Sequence, residues 1–108
     1  MSKIAIEAIN NPDNKKYVSI ATIWEAGIKF SLGKLKLEGG FDNFIETIDD
    51  NGFLLLDIAT EHIKTSMGLP YHHRDPFDRM LIAQSIAEEM HMMTDDEYVL
   101  KYDINPVW

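Results

Sequence analysis

Four consecutive large apolar residues, Phe53-Leu54-Leu55-Leu56, sit between two stretches of helical periodicity. A run of that kind, with no polar alternation, is what a strand covered on both faces requires. Such strands belong to parallel sheets flanked by helices. Tyr17-Val18-Ser19-Ile20-Ala21 is β-rich and reads as another buried strand. Helices are expected over residues 2–9, capped by Ser2 with Ile4, Ala5, Ala8 and Ile9 at helical spacing, and from Thr22 to Leu32, stopped by Gly33. Thr22-Ile23-Trp24-Glu25 fits a capping box at the start of that second helix. Residues 41–51 form a third, with Phe41, Phe44, Ile45 and Ile48 on one side and Gly52 behind, and a fourth runs from Thr60, as its cap, to about Met67. Residues 69–74 read as a loop. Asp75-Pro76 is a strong helix start, an N-cap acid followed by proline at the first helical position, and the apolar pattern continues to Met90. A short strand at 91–94, a short helix at 95–102 and an extended end at 105–108 complete the order α-β-α-α-β-α-α-β-α-β. This predicts an α/β chain: one domain over residues 1–108, helices about a mostly parallel sheet, with strand C-termini and any site on one edge.

Charge and composition limit the partners. The 108 residues carry a formal charge of −8. That works against a broad nucleic-acid surface, because phosphate contacts want Lys and Arg. It leaves room for a cluster of carboxylates that repels nucleic acid until a divalent cation binds. The absence of cysteine excludes disulfides, thiolate zinc sites and a thiol nucleophile. No apolar run reaches the roughly 18 residues a membrane span needs. Met1-Ser2-Lys3-Ile4-Ala5 has no secretory apolar core, so a cytoplasmic protein with no membrane partner is expected.

Several acids follow strands or open helices: Glu25, Asp75 and Asp78, and Asp95 with Asp96. On one edge of a parallel sheet, three or four such carboxylates would make a site for Mg²⁺ or Mn²⁺, hard ions that prefer oxygen ligands. Each acid also has a purely local use. Glu25 can close the capping box, Asp75 can cap its helix, and Asp78, Asp95 and Asp96 can favour the positive ends of theirs. Spacing alone does not choose between these uses. His72-His73 could touch a metal, but adjacent loop histidines rarely aim at one ion. A solvated loop or a contact with RNA phosphate is the simpler reading. Arg79 falls near the apolar side of its helix, either to pair with a site carboxylate or to snorkel its head into water. Trp24, Met90, Met92 and Met93 read as core.

The segment Arg74-Asp75-Pro76-Phe77-Asp78-Arg79-Met80-Leu81-Ile82-Ala83-Gln84, followed by Met92-Met93-Thr94-Asp95-Asp96, resembles the C-terminal half of the VapC-like toxin ribonucleases, which are PIN domains. Ser19-Ile20-Ala21-Thr22-Ile23-Trp24-Glu25, then Lys29 and Gly33-Lys34-Leu35, resembles their middle, and Pro106-Val107-Trp108 their end. The resemblance implies a PIN-like α/β/α sandwich. It also implies a metal-dependent endoribonuclease, usually the toxin of a toxin–antitoxin pair, with an RNA substrate and an antitoxin partner. The family site is typically four acids. Glu25 matches the second, Asp78 the third and Asp96 the fourth, in a Thr-x-Asp pattern that includes Thr94. These three would be the catalytic residues and the ligands of Mg²⁺ or Mn²⁺. Asp75, Thr94 and Arg79 would support them without binding the ion. The first acid, on a strand of the type Leu-Leu-Asp-Thr-His, has no counterpart before Tyr17. The resemblance therefore reads as truncated at its N-terminus, and a homodimer or strand-exchanged oligomer is expected to cover the exposed sheet edges. The alternative is a catalytically silent PIN domain serving as a binding or dimerisation module.

Leu54-Leu55-Leu56-Asp57-Ile58 also resembles the phosphoacceptor strand of receiver domains. The acidic pair and the lysine those domains need are not at matching places. Asp57 is better read as ending its strand in a turn.

Overall fold

A computed structural model describes residues 3–94, 97–102 and 104–107, with Val107 described by its backbone alone. The expected cap Ser2, the acids Asp95 and Asp96, and Trp108 lie outside the described residues. The chain divides into two compact units, one of Lys15–Asp57 and one of Met1–Asn14 with Ile58–Trp108.

In the first unit, strand β1 (Lys16–Ser19) leads into helix α2 (Ile20–Ser31); helix α3 (Gly40–Asp50) then precedes strand β2 (Phe53–Leu56). The two strands pair in parallel, with Tyr17 opposite Leu54 and Ser19 opposite Leu56. A parallel pair needs a long crossover, and the two helices supply it. The start of α2 differs from expectation. Ser19 is the N-cap: its hydroxyl accepts from the Ala21 amide at 3.0 Å, so the strand ends there and Thr22 already lies inside the helix. The expected end holds. Gly33 sits at φ +72°, with its amide on the Phe30 carbonyl and the Lys34 amide on the Lys29 carbonyl. This is a Schellman closure with glycine in the left-handed position. The expected apolar side of α3 is half-buried as read, at Phe41, Phe44, Ile45 and Ile48. Two other expectations fail. Leu54 and Leu55 are each 47% exposed, so β2 is not covered on both faces, and Trp24 is 61% exposed rather than core.

In the other unit, helix α1 (Lys3–Asn10) buries Ala5, and helices α4 (Thr60–Met67) and α5 (Pro76–Ala87) pack against each other. Strands β3 (His91–Met93) and β4 (Asn105–Val107) pair in parallel; among the described residues between them, Val99–Lys101 form a 3-10 turn within the span 95–102 where a short helix was expected. The core gathers Ile82 of α5 with Val99 and Tyr102, and Leu69, Ile86, Met92 and Ile104 pack around them. Met92 thus serves the core as read, whereas Met93 is 39% exposed. Thr60 is the first helical residue of α4 and not its cap. That place belongs to Ala59, whose amide donates to His62 Nδ1 at 2.9 Å. His62 is 1% exposed, and its Nε2 lies 2.7 Å from Glu88 Oε1 at the far end of α5. The histidine therefore ties the start of one helix to the end of the other. Helix α5 stops at Ala87, short of the expected Met90. Among the described residues no helix is long and apolar enough to cross a membrane.

Candidate functional site

The head of α5 gathers several polar groups around two sequence-predicted site residues, Asp75 and Asp78. Asp75 is its N-cap, with Oδ1 accepting from the Phe77 amide at 2.8 Å and the Asp78 amide at 3.2 Å. Pro76 has no amide to satisfy, and the Arg79 amide reaches the Asp75 carbonyl at 3.0 Å. The first turn's donors are thereby accounted for by Asp75 alone. Of the two roles weighed for Asp75, capping its helix and supporting the site acids, the geometry displays the capping. Asp78, at the third helical position, projects from the same turn with its side chain 33% exposed.

His73 stands against it. The amide of Asp75 donates to His73 Nδ1 at 3.1 Å, and His73 Nε2 lies 2.9 Å from Asp78 Oδ2. A ring nitrogen that accepts carries no hydrogen, so Nε2 holds the proton and donates to the carboxylate. The backbone is pinned as well: the His73 amide donates to Tyr102 Oη at 2.9 Å. The His73 ring also meets the Tyr98 ring at 5.9 Å between centroids. The solvated-loop reading of this histidine is corrected by these contacts. His72 is exposed, with its ring edge on Tyr102 at 5.0 Å.

Arg79 does neither thing expected of it. It is 8% exposed, and its guanidinium donates to main-chain oxygens: Nη1 to Pro70 at 2.9 Å and His73 at 3.4 Å, Nη2 to Ser66 at 2.9 Å and Leu69 at 3.3 Å. Nη1 also reaches Tyr102 Oη at 3.3 Å, and that hydroxyl donates to the Pro70 carbonyl at 2.7 Å. The Tyr71 ring lies 4.3 Å from the guanidinium carbon. A planar fork of five donors is suited to gathering carbonyls in this way, which an ammonium could not do. Arg79 and Tyr102 therefore fix the loop that presents His73.

The other site residues are spread differently. Thr94 follows β3 and is half-buried. Asp96 lies outside the described residues. Glu25 is on α2, in the other compact unit, with Lys29 Nζ 3.5 Å from its Oε2 as an i,i+4 pair. Among the described residues no three His, Asp or Glu side chains gather as a metal cluster. Sequence reading missed His73 as a partner of Asp78. The available signal was its spacing, two residues before an N-cap acid, where a ring nitrogen can meet the cap residue's own amide. It also missed Tyr102 and His62, which no local pattern marks.

The family model of the PIN domain matches residues 2–105. No curated protein and no solved structure gives a significant match.

Proposed function

This chain belongs to the PIN domain family, and from that premise we propose that it is a VapC-like endoribonuclease, the toxin of a toxin–antitoxin pair, hydrolysing RNA phosphodiesters in the cytoplasm with Mg²⁺ or Mn²⁺. PIN domains are in general nucleases that depend on a divalent metal and act on nucleic acid. The observation that carries the finer reading is the head of α5. There Asp75 takes over the capping, so that Asp78, one of the three acids of the resemblance, is presented beside a fixed histidine.

Glu25, Asp78 and Asp96 would hold the ion. All three are carboxylates, and hard oxygen donors are what Mg²⁺ and Mn²⁺ take, so the donor chemistry fits. When bound, the ion makes water a stronger acid and offsets charge that develops on the phosphodiester. The chain's own residues prepare for this. Asp75 builds the turn that carries Asp78, and Arg79 with Tyr102 holds the preceding loop in one shape.

The antitoxin, or a second copy of the chain, would be the protein partner. Support comes from an apolar groove within the unit of residues 15–57, lined by Ile20, Ile23, Trp24, Gly27, Ile28 and Phe41. Half-exposed Leu54 and Leu55 belong to the same unit.

The test is the pair of substitutions Asp78→Asn and Asp96→Asn in one chain, assayed on RNA with Mg²⁺ or Mn²⁺. Asparagine keeps the shape and removes the charge. Cleavage is expected to fall to background. Metal-dependent cleavage that survives unchanged contradicts the assignment.

A further inference from the structure

We propose that His73 is a positioning residue for Asp78: its Nε2–H holds the carboxylate in the orientation that receives the divalent ion, and so sets the affinity for that ion. The proposal rests on the reading of Asp78 as metal-holding.

Three observations carry it. First, the amides of Phe77 and Asp78 are already taken by Asp75 Oδ1, and that of Arg79 by the Asp75 carbonyl. The cap that an aspartate near a helix start could otherwise make is thus filled, and capping does not dictate where the Asp78 carboxylate points. Second, the histidine is itself immobilised. Its Nδ1 accepts from the Asp75 amide, its own amide donates to Tyr102 Oη, and its carbonyl accepts from Arg79 Nη1. The Tyr98 ring flanks the imidazole. A donor fixed at that many points defines a direction, and at 2.9 Å its Nε2–H transmits that direction to Asp78 Oδ2. Third, the acceptor role of Nδ1 makes the ring the neutral Nε2–H tautomer. A neutral donor orients a carboxylate without bringing a positive charge against an arriving cation, which a lysine or arginine in the same place would do.

Orienting a carboxylate before the ion arrives removes an ordering cost from binding, and hydrogen-bond partners of metal ligands typically contribute about 10–100-fold in metal affinity. Sequence alone does not assign this role. The histidine lies outside the acids of the resemblance and its usefulness depends on the turn at Asp75.

The experiment is calorimetric titration of Mn²⁺ into the full chain without RNA, so that affinity is read apart from activity. His73→Phe keeps a ring and removes the donor. His73→Met and His73→Gln form a matched pair of near-equal length, of which only the glutamine can donate at about the place of Nε2. Urea unfolding of each variant is recorded alongside. His73→Phe and His73→Met are expected to weaken Mn²⁺ binding about 10–100-fold, and His73→Gln to recover most of the loss. Either apolar variant, if folded, binding Mn²⁺ as the wild type does overturns the proposal. An equal loss in the glutamine variant also overturns it, because packing of the ring and not its N–H would then be responsible. A wild-type chain that binds no Mn²⁺ overturns the metal-holding reading of Asp78, and the role of His73 falls with it.

Discussion

Asp75 and Asp78 are three positions apart and make different contacts, which their identities alone do not reveal. Asp75 is committed to two amides of the first turn, so its removal is a capping loss. Asp75→Ala is expected to lower stability by about 1 kcal/mol, and Asp75→Asn to retain most of it. Urea unfolding that leaves Asp75→Ala unchanged would contradict the capping role. Arg79 has a larger stake, because four main-chain carbonyls depend on it. Arg79→Met leaves several of them without their donor and is expected to cost about 3 kcal/mol. Arg79→Lys should recover only part of that, since an ammonium cannot span both edges of the loop. Equal stability of the lysine variant and the wild type would contradict the clamp. The aspartates were legible because a cap and a following proline are local signals. Arg79 was not, since its partners are backbone oxygens of residues 66–73 that carry no mark in the sequence. His73 was read as a loop residue for a related reason: its meaning comes from the turn it faces.

The ends of α2 and α5 show what a sequence does and does not signal about an element. Both close by the same Schellman pattern. In α5 the Met90 amide reaches the Ser85 carbonyl at 2.8 Å and the Glu89 amide the Ile86 carbonyl at 3.2 Å. Gly33 occupies the left-handed position after α2, and the stop was legible. Glu89 occupies it after α5 at φ +53°, and the helix was read as running on to Met90. A non-glycine residue pays a steric penalty in that conformation, so Glu89→Gly is expected to stabilise the chain by about 0.5–1 kcal/mol. A drop in thermal midpoint for this variant would contradict the closure. Strand β2 makes the opposite point. Its apolar run correctly marked a parallel strand, but a run does not say what packs upon it, and Leu54 and Leu55 remain half-exposed. At the start of α2 the capping-box pattern pointed to Thr22, whereas the Ser19 hydroxyl caps three residues earlier and cuts the strand short.

For the molecule as a whole, the alternation of strands and helices carried the α/β class. The quoted motifs carried the family, which the match over residues 2–105 supports. What alternation does not carry is how the acids combine, since Glu25 and Asp78 belong to different compact units and Asp96 lies outside the described residues. The self-association proposed above would cover the exposed apolar residues of the unit 15–57. Light scattering of the isolated chain is expected to return twice the 12.4 kDa of one copy, and a stable monomer would contradict self-association. The most direct measurement is the chemistry of the cut. End-labelled single-stranded RNA is incubated with the full chain and Mn²⁺, with and without EDTA, and the product ends are identified. Hydrolysis by water predicts linear phosphate ends, formed only while the ion is present and lost in Asp78→Asn. Cleavage that persists in EDTA, or that leaves 2′,3′-cyclic phosphate from attack by the RNA's own hydroxyl, would contradict the account.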